Sequence, residues 1–215
     1  MAYIVGAKEF MGLEFLVTPA VLVPRPETEI LVEWALDWLR ARRTGAVADI
    51  GTGSGAIALS LAVLLGAEWH GQIFASDISP EALAVAERNR RRLNVTDRVE
   101  LFEGSLLAWR HLAVDLLLAN LPYLRPDQIA SAPMIAAEPR LALDGGRNGL
   151  ELIEDLLKDA PRVMRPSGAI GLEIDPEQAA AVRSLAHQCF PRARVRLMPD
   201  LAGHERHVII ELPDL

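Results

Sequence analysis

The chain contains the stretch Ala46-Val47-Ala48-Asp49-Ile50-Gly51-Thr52-Gly53-Ser54-Gly55. It runs from a short apolar segment into a cluster of glycines, and an uncharged segment composed mostly of Ala, Leu and Ile follows from Ala56 to Leu65. A short apolar run bounded by glycine is typical of a buried strand, and the longer run is typical of a buried helix. The stretch therefore predicts a strand, a tight loop and a helix in succession.

The same alternation continues along the rest of the chain. We predict further strands over residues 72–76, 99–102, 114–119 and 169–174, and further helices over residues 26–43, 80–93, 150–164 and 176–189. Such alternation favours a parallel sheet with helices on both faces. Two last apolar runs, residues 194–198 and 208–212, are joined only by a loop and must pair antiparallel. The prediction is an α/β, Rossmann-like fold with a mostly parallel sheet and a C-terminal antiparallel β-hairpin.

The segment before this alternation is expected to be an addition to the same compact domain. Residues 10–23 predict a short hairpin and an irregular approach, and Pro26 followed by Glu27 and Glu29 marks a helix start. We therefore expect residues 1–43 to form an N-terminal hairpin and helix packed on a catalytic domain of residues 44–215. Residues 121–147 are rich in proline and are expected to be irregular.

Composition excludes several classes of protein. The chain has 215 residues, of which 51% are hydrophobic, and its net charge of −7 disfavours non-specific binding to nucleic acid. The single cysteine, Cys189, excludes an internal disulfide and fits a reducing cytoplasm. The longest uncharged apolar stretch, residues 56–67, is shorter than the ~20 residues of a membrane span, and no signal peptide is evident. We expect a cytoplasmic protein with no membrane partner.

The glycine loop predicts a nucleotide-like ligand, because glycines between a strand and a helix let the backbone and its free N–H groups approach one. The spacing Gly51-x-Gly53-x-x-Ala56 also satisfies the loose dinucleotide pattern. Asp49, two residues before the first glycine, favours S-adenosylmethionine. Asp77 follows the second strand, where a carboxylate can accept both ribose hydroxyls of either ligand. Its alternative role is to cap the helix that begins near Pro80.

A second candidate site is Asn120-Leu121-Pro122-Tyr123, which follows the strand over residues 114–119. In a doubly wound sheet this strand end lies beside the glycine loop. The Asn120 side-chain oxygen and the Leu121 carbonyl could hold the N–H groups of a planar amide or amine while its lone pair faces an electrophile. Pro122 would make the turn rigid, and Tyr123 would exclude water. Asn-x-Pro is also an ordinary turn sequence.

Other features are interpreted as structural. His204 and His207 would point to opposite faces of a strand, and no third ligand is evident, so no metal site is predicted. The basic run over residues 88–92 is interpreted as the solvated end of a helix.

The motifs together resemble the HemK family of protein-glutamine methyltransferases, which methylate the glutamine of the Gly-Gly-Gln loop in peptide chain release factors and so act in translation termination. The resemblance covers essentially the whole chain. Its most specific parts are Val23-Pro24-Arg25-Pro26-Glu27-Thr28-Glu29, Asn120-Leu121-Pro122-Tyr123 and Glu138-Pro139-Arg140-Leu141-Ala142-Leu143. The resemblance implies a class I S-adenosylmethionine-dependent methyltransferase fold.

The resemblance also implies roles for individual residues. Contacts to S-adenosylmethionine are expected from Asp49, Gly51, Thr52, Gly53, Ser54, Gly55, Asp77, Ile78, Ser105 and Asn120. The catalytic turn, which also binds the substrate glutamine, is expected to be Asn120, Leu121, Pro122 and Tyr123. Arg25 and Glu27 are expected beside the substrate. The expected partner is a peptide chain release factor, and the expected oligomeric state is a monomer.

Three departures from the family pattern are visible. Leu121 stands where the family turn usually has a proline. Ser105 lies where an acidic residue is frequent. Family members usually carry an N-terminal helical domain, and this chain begins just after the position where that domain would end, so it is expected either to have lost the domain or to be a fragment.

Other functions remain open on the sequence. The same site could methylate a ribosomal-protein glutamine, or the N6 amine of adenine in a nucleic acid. An NAD-binding oxidoreductase would use the glycine loop but would leave the Asn120 turn without a role. A non-catalytic cofactor-binding protein is a further alternative.

Overall fold

Seven strands form one sheet at the centre of the computed structural model, which describes residues 2–108, 113–135 and 137–214. The strands, with two that form a separate hairpin, are β1 (Ala7–Phe10), β2 (Leu13–Leu16), β3 (Ala46–Ile50), β4 (Gln72–Asp77), β5 (Val99–Glu103), β6 (Val114–Ala119), β7 (Met164–Glu173), β8 (Arg194–Pro199) and β9 (Glu205–Glu211). The α-helices are α1 (Ala2–Val5), α2 (Pro26–Arg40), α3 (Ala56–Leu65), α4 (Pro80–Arg92), α5 (Pro126–Ser131), α6 (Glu151–Asp159) and α7 (Ala179–Cys189).

The strand order of the central sheet is β5-β4-β3-β6-β7-β9-β8. The first five of these strands run parallel, whereas β9 pairs antiparallel with both β7 and β8. The predicted mostly parallel sheet and its C-terminal hairpin are therefore confirmed. The chain moves outward from β3 to β5 and then returns to place β6 beside β3, with Ile50 paired to Ala119. Ligands of open α/β sheets bind at such a reversal.

Helices cover both faces of the sheet, and successive residues of one strand enter different buried clusters. Val47 packs with Leu31 of α2 in one cluster, whereas Ala48 packs with Leu156 of α6 in the other. This alternation follows from the two-residue period of a strand. Burial on both faces explains why β3 and β6 are almost uninterrupted apolar runs.

The N-terminal hairpin pairs β1 with β2 and is displaced toward the N-terminus from its predicted place within residues 10–23. Its turn is Met11-Gly12, and both residues have positive φ, 53° and 70°. Such a two-residue turn matches the twist of a hairpin. Phe10 and Phe15 meet edge to face and are buried with Leu31. The division at residue 43 stays a prediction.

Several predicted boundaries were wrong, most clearly in the helix expected over residues 150–164. Helix α6 ends at Asp159, a 3-10 turn follows at Ala160–Arg162, and β7 begins at Met164 instead of residue 169. Pro161 has no N–H to continue the helical hydrogen bonds, which accounts for the change. Residues 176–178 likewise form a 3-10 turn before α7, and α2 ends at Arg40. The segment expected to be irregular contains α5.

Candidate active site

A cavity of about 400 Å³ opens at the carboxyl ends of β3, β4 and β6. Its volume lies within the range of small-molecule sites, which is roughly 300–1,000 Å³. The predicted site residues that line it are Arg25, Gly51, Thr52, Gly53, Ser54, Asp77, Ile78, Ser105, Asn120, Leu121 and Pro122. The predicted residues that do not line it are Glu27, Asp49, Gly55 and Tyr123. The fold therefore brings the two motifs of the sequence to one cavity.

The glycine loop adopts a conformation that depends on its glycines. Gly51 has a φ of +72°, and a Cβ there would lie 3.0 Å from Cδ2 of Leu121 in the neighbouring turn. Gly55 has a φ of +84°, and a Cβ there would lie 2.6 Å from Cδ1 of Leu59. The N–H groups of Gly51 and Thr52 donate to the carbonyl of Ser76, at 2.9 and 2.8 Å. The loop is thus tied to β4 and keeps its backbone against the cavity.

Asp49 lies beneath the loop, fully buried, and does not reach the cavity. Its Oδ2 accepts hydrogen bonds from the Thr52 hydroxyl at 2.6 Å and from the Ala58 N–H at 3.1 Å. Its Oδ1 has no hydrogen-bond partner among the described residues. Burial raises the pKa of Asp49 to about 6, although the hydrogen bonds from Thr52 and Ala58 lower it. Asp49 can therefore brace the loop and the start of α3 from below.

Asp77 stands at the cavity wall, at the end of β4. Its Oδ2 accepts from the Gly53 N–H and its Oδ1 from the Ser79 N–H, each at 2.9 Å. The N-cap of α4 is Ser79, whose hydroxyl accepts from the Ala82 N–H at 3.1 Å. The alternative in which Asp77 caps this helix is therefore wrong. Burial raises the pKa of Asp77 and the backbone hydrogen bonds lower it.

The Asn-Leu-Pro-Tyr turn lines the cavity beside the glycine loop. Leu121 is buried there, and Gln178 holds the turn from behind. The Gln178 Nε2 donates to the carbonyls of Tyr123 and Gly149, both at 3.0 Å. The Tyr123 side chain lies outside the cavity lining, and burial together with the nearby charge of Glu173 raises its pKa.

Two polar residues that were not identified in the sequence as site residues contact the turn. Thr28 of α2 and Glu173 at the end of β7 are both buried, and the Thr28 hydroxyl donates to Glu173 Oε2 at 2.6 Å. The Asn120 Nδ2 donates to Thr28 Oγ1 at 3.0 Å. Burial raises the pKa of Glu173 to about 7. The sequence signal that could have identified Glu173 is its position as the one charged residue in the apolar run 169–174.

Arg25 and Glu27 lie in different surroundings. Arg25 lines the cavity and forms an ion pair with Glu138, which belongs to the segment between β6 and α6. Glu27 does not line the cavity, and its backbone carbonyl accepts a hydrogen bond from Nε2 of His207 at 3.0 Å. Only Arg25 therefore lies where a substrate in the cavity could reach it.

The described residues contain neither a cluster of metal ligands nor a helix that could span a membrane. Across residues 2–108, 113–135 and 137–214, no three or more His, Cys, Asp and Glu side chains are grouped to hold a metal ion. His204 is exposed, whereas His207 is buried. In the same part of the chain, every helix is too short or too polar to span a bilayer.

Solved structures share this fold. The ribosomal protein L11 methylase of Lactobacillus delbrueckii subsp. bulgaricus aligns with a TM-score of 0.65 and 23% identity, over 92% of this chain and 84% of its own. A methyltransferase from Pyrococcus furiosus aligns with a TM-score of 0.69 and 20% identity, over 95% of this chain and 90% of its own. The predicted class I methyltransferase fold is therefore confirmed.

The class I methyltransferase fold implies S-adenosylmethionine as the methyl donor, and the residues at the cavity fit it. Each Asp77 oxygen accepts one backbone N–H and keeps a lone pair that a ribose hydroxyl can use. A Cβ on Gly53 would meet no heavy atom within 4 Å, so the loop leaves open space there. Leu22, Ile78 and Leu121 supply apolar walls of the kind that enclose an adenosine.

Comparison with other sequences gives the family. The family model for ribosomal protein L11 methyltransferase (PrmA) matches residues 26–122, which is 97 of 215 residues. Release factor glutamine methyltransferase of Moorella thermoacetica is 45% identical over 96% of this chain and 72% of its own length. That of Bordetella pertussis is 42% identical over 96% of this chain and 75% of its own. At this identity and coverage, the chain belongs to the release factor glutamine methyltransferase family.

Proposed function

We propose that the protein transfers a methyl group from S-adenosylmethionine to the side-chain amide nitrogen of the glutamine in the Gly-Gly-Gln motif of peptide chain release factors. One observation carries this proposal. The Asn120 turn and the glycine loop lie side by side at one cavity, because their strands are neighbours in the sheet. An acceptor for an amide N–H thus lies next to the loop that fits the methyl donor. The names of the relatives support the release factor as substrate.

For this methyl transfer, the main task of the protein is to orient the substrate amide. A bound S-adenosylmethionine supplies an electrophilic methyl group on a sulfonium. The substrate amide nitrogen is a weak nucleophile, because its lone pair is delocalised into the carbonyl. The Asn120 Oδ1 and the Leu121 carbonyl would accept its two N–H groups and aim the lone pair at the methyl group. The nitrogen would lose one proton to solvent as its bond to the methyl group forms and the sulfur–methyl bond breaks, with the electron pair of that bond remaining on the neutral sulfur.

The walls of the cavity support a protein substrate that enters by a narrow loop. Arg25 and Asn120 line the cavity, and so do Pro139 and Leu141, which belong to the segment joined by the Arg25–Glu138 ion pair. Because glycine has no side chain, a glutamine flanked by glycines could enter this cavity with little bulk beside it. The net charge of −7 disfavours a polynucleotide in the same place.

Methylation of a ribosomal protein is the second candidate, and the match to the ribosomal protein L11 methyltransferase model favours it. That match ends at residue 122, so it covers the glycine loop and the start of the Asn120 turn but not Glu138 or Glu173. The relatives that extend through those residues carry the release factor name. They support the release factor more strongly.

The test is a methylation assay with three substrates. Purified release factor, ribosomal protein L11 and an adenine-containing duplex are each incubated with the protein and isotope-labelled S-adenosylmethionine. Mass spectrometry is expected to place one labelled methyl group on the Gly-Gly-Gln glutamine and none on the other substrates. A release factor with this glutamine changed to glutamate is the matched control. Label on L11 or DNA alone would overturn the proposal.

We further propose that the protein acts in the cytoplasm as a monomer, with residues 1–43 packed on the catalytic domain. The described cavity is complete within one chain, and Phe10 and Leu31 share a buried cluster with α3. Sedimentation equilibrium is expected to give the mass of one chain, 23.5 kDa. A stable dimer at micromolar concentration would contradict the monomer.

A further inference from the structure

Three polar side chains from distant parts of the chain form a hydrogen-bonded line that ends at the cavity. Glu173 closes β7, Thr28 lies in α2, and Asn120 follows β6. The Thr28 hydroxyl lies 2.6 Å from Glu173 Oε2 and 3.0 Å from Asn120 Nδ2. Of these three residues, Asn120 and Thr28 line the cavity. Glu173 does not line it, and its exposed fraction is only 2%. A buried carboxylate is thus linked through one hydroxyl to the proposed catalytic amide.

We propose that Glu173 is a positioning residue that acts through Thr28 to set which end of the Asn120 amide faces the substrate. The proposal rests on the function proposed above, because it assigns Asn120 Oδ1 as an acceptor for the substrate amide. Glu173 itself does not line the cavity. It therefore acts on the substrate only through the orientation of another side chain.

The direction of each hydrogen bond follows from the ionised carboxylate. A carboxylate can only accept, so the single proton of the Thr28 hydroxyl points to Glu173. The Thr28 oxygen then has only lone pairs for Asn120, which must present its Nδ2–H to it. Asn120 Oδ1 is left for the cavity. This is the atom that the substrate N–H needs.

Protonation of Glu173 allows the line to reverse. One proton from solvent on the carboxyl lets Glu173 donate to Thr28, and the Thr28 hydroxyl can then donate to Asn120 Oδ1. A half-turn of the Asn120 side chain makes this second arrangement, with Nδ2 toward the cavity. Two N–H donors would then face each other, so the substrate amide would no longer be held. The number of hydrogen bonds within the line is the same in both arrangements.

The groups around Glu173 determine its pKa and therefore the pH at which this reversal is expected. Burial is the largest influence and raises the pKa of Glu173 to about 7, while the hydrogen bond from Thr28 and the charge of Arg206 lower it. Glu27 of α2 raises it, and the Asn120 hydrogen bond lowers it. His207 is opposite Glu173 in the β7–β9 pairing, and burial lowers the pKa of this imidazole. Tyr123 also faces Glu173.

The first test does not depend on activity. The chain has four asparagines, so protein labelled with ¹⁵N-asparagine gives four side-chain amide signals, and Asn120→Ala identifies the one from Asn120. Between pH 5.5 and 8.5 the Asn120 signal is expected to shift with a midpoint near that of Glu173. The shift should vanish in Glu173→Gln and become much smaller in Thr28→Val, where only the direct interaction of the Asn120 amide with Glu173 remains. An Asn120 signal that ignores pH, or that titrates unchanged in Thr28→Val, would overturn the proposal.

The second test compares single-turnover methylation of release factor by variants with intact cofactor affinity. Thr28→Val should slow transfer about 10- to 100-fold, the range for a misplaced catalytic group. Thr28→Ser keeps the hydroxyl and should stay close to the original rate. In the unsubstituted protein the rate should fall below neutral pH, and this fall should be absent in Glu173→Gln. If Thr28→Val only lowers the melting temperature, the role is structural and the proposal is wrong.

The two proposals fail in different ways. If the unsubstituted protein binds S-adenosylmethionine but methylates no release factor, the proposed function fails, and the amide titration still decides whether Glu173 controls Asn120. If methylation proceeds and the titration or the pH dependence is absent, the role of Glu173 fails and the function stands.

Discussion

The Asp77 carboxylate accepts a hydrogen bond from the Gly53 N–H at 2.9 Å and so connects the end of β4 to the middle of the glycine loop. The same side chain lines the cavity. One residue therefore shapes the loop and presents lone pairs to whatever the loop holds. This double role makes Asp77 the most direct test of the cofactor site.

We expect Asp77→Ala to weaken binding of S-adenosylmethionine by about 1.5–3 kcal/mol, the range for hydrogen bonds to a charged group. The folded state should persist, because the α4 cap belongs to Ser79. Titration calorimetry measures the affinity. Asp175→Ala is the control: it removes the side-chain cap of the 3-10 turn at residues 176–178, outside the cavity lining, costs roughly 1 kcal/mol of stability, and should change cofactor affinity far less. Equal losses of affinity in both variants would show that Asp77 has no specific role in binding S-adenosylmethionine.

The buried Asp49 predicts a pH dependence of stability. Its pKa is raised to about 6 in the folded protein by burial, against about 3.9 in an unfolded chain. Between these values the folded state binds more protons, so the free energy of unfolding falls as the pH rises from about 4 to 6. Asp49→Asn lacks this titration. Relative to the unsubstituted protein, we therefore expect this variant to gain on the order of 3 kcal/mol across that window.

Urea unfolding at pH 4, 5, 6 and 7.5 measures this difference. Glu173 titrates in both proteins, so its contribution cancels in the comparison. Asp37→Asn, which removes an exposed carboxyl on α2, is the control for losing one acidic group. A constant difference between Asp49→Asn and the unsubstituted protein at all four pH values would show that Asp49 does not titrate differently in the two states.

The ion pair between Arg25, which lines the cavity, and Glu138 joins the start of α2 to the segment between β6 and α6. Glu138 is nearly buried, and its Oε2 has no hydrogen-bond partner among the described residues. We expect Arg25→Ala to cost about 1–3 kcal/mol of stability, because it leaves a buried carboxylate without its cation. Adding Glu138→Gln should restore part of this loss, since a neutral amide is less costly to bury.

Denaturant unfolding of the two single variants and the double variant gives the coupling free energy. A value of zero would mean that the pair contributes nothing beyond its separate side chains. Methylation of release factor by the double variant provides a second readout. A restored stability with a persistently raised KM would assign Arg25 a contact with the substrate as well as with Glu138.

The site residues that could be predicted are those that a local sequence pattern marks. The loop 51–55 was identifiable because glycine, an apolar strand and an apolar helix are all local signals. Asp77 and Asn120 were identifiable because each directly follows a buried strand. Thr28 and Glu173 were missed as site residues because they are 145 residues apart, and only the packing of α2 against β7 brings them together. No local pattern marks such a contact.

The sequence also could not show which residues of each motif line the cavity. Asp49 and Tyr123 belong to the right motifs, yet one lies beneath the loop and the other behind the turn. Alternation along a strand decides which neighbours face the ligand, and an irregular turn has no such alternation. The end of α6 was misplaced for a related reason. Pro161 is compatible with a helix start as well as a helix end, and the surrounding apolar residues suit either.

Asn120→Ala is expected to abolish methyl transfer while leaving the affinity for S-adenosylmethionine within about twofold, because the proposed contact is to the substrate amide. Transfer to a neutral amide depends on alignment, and loss of one acceptor should cost on the order of 100-fold or more in single-turnover rate. Asn148→Ala, at an exposed asparagine outside the cavity, is the matched control and should keep the full rate. Near-normal methylation of the Gly-Gly-Gln glutamine by Asn120→Ala would mean that Leu121 or another acceptor holds the substrate. The assignment of the turn would then be wrong even with the family correct.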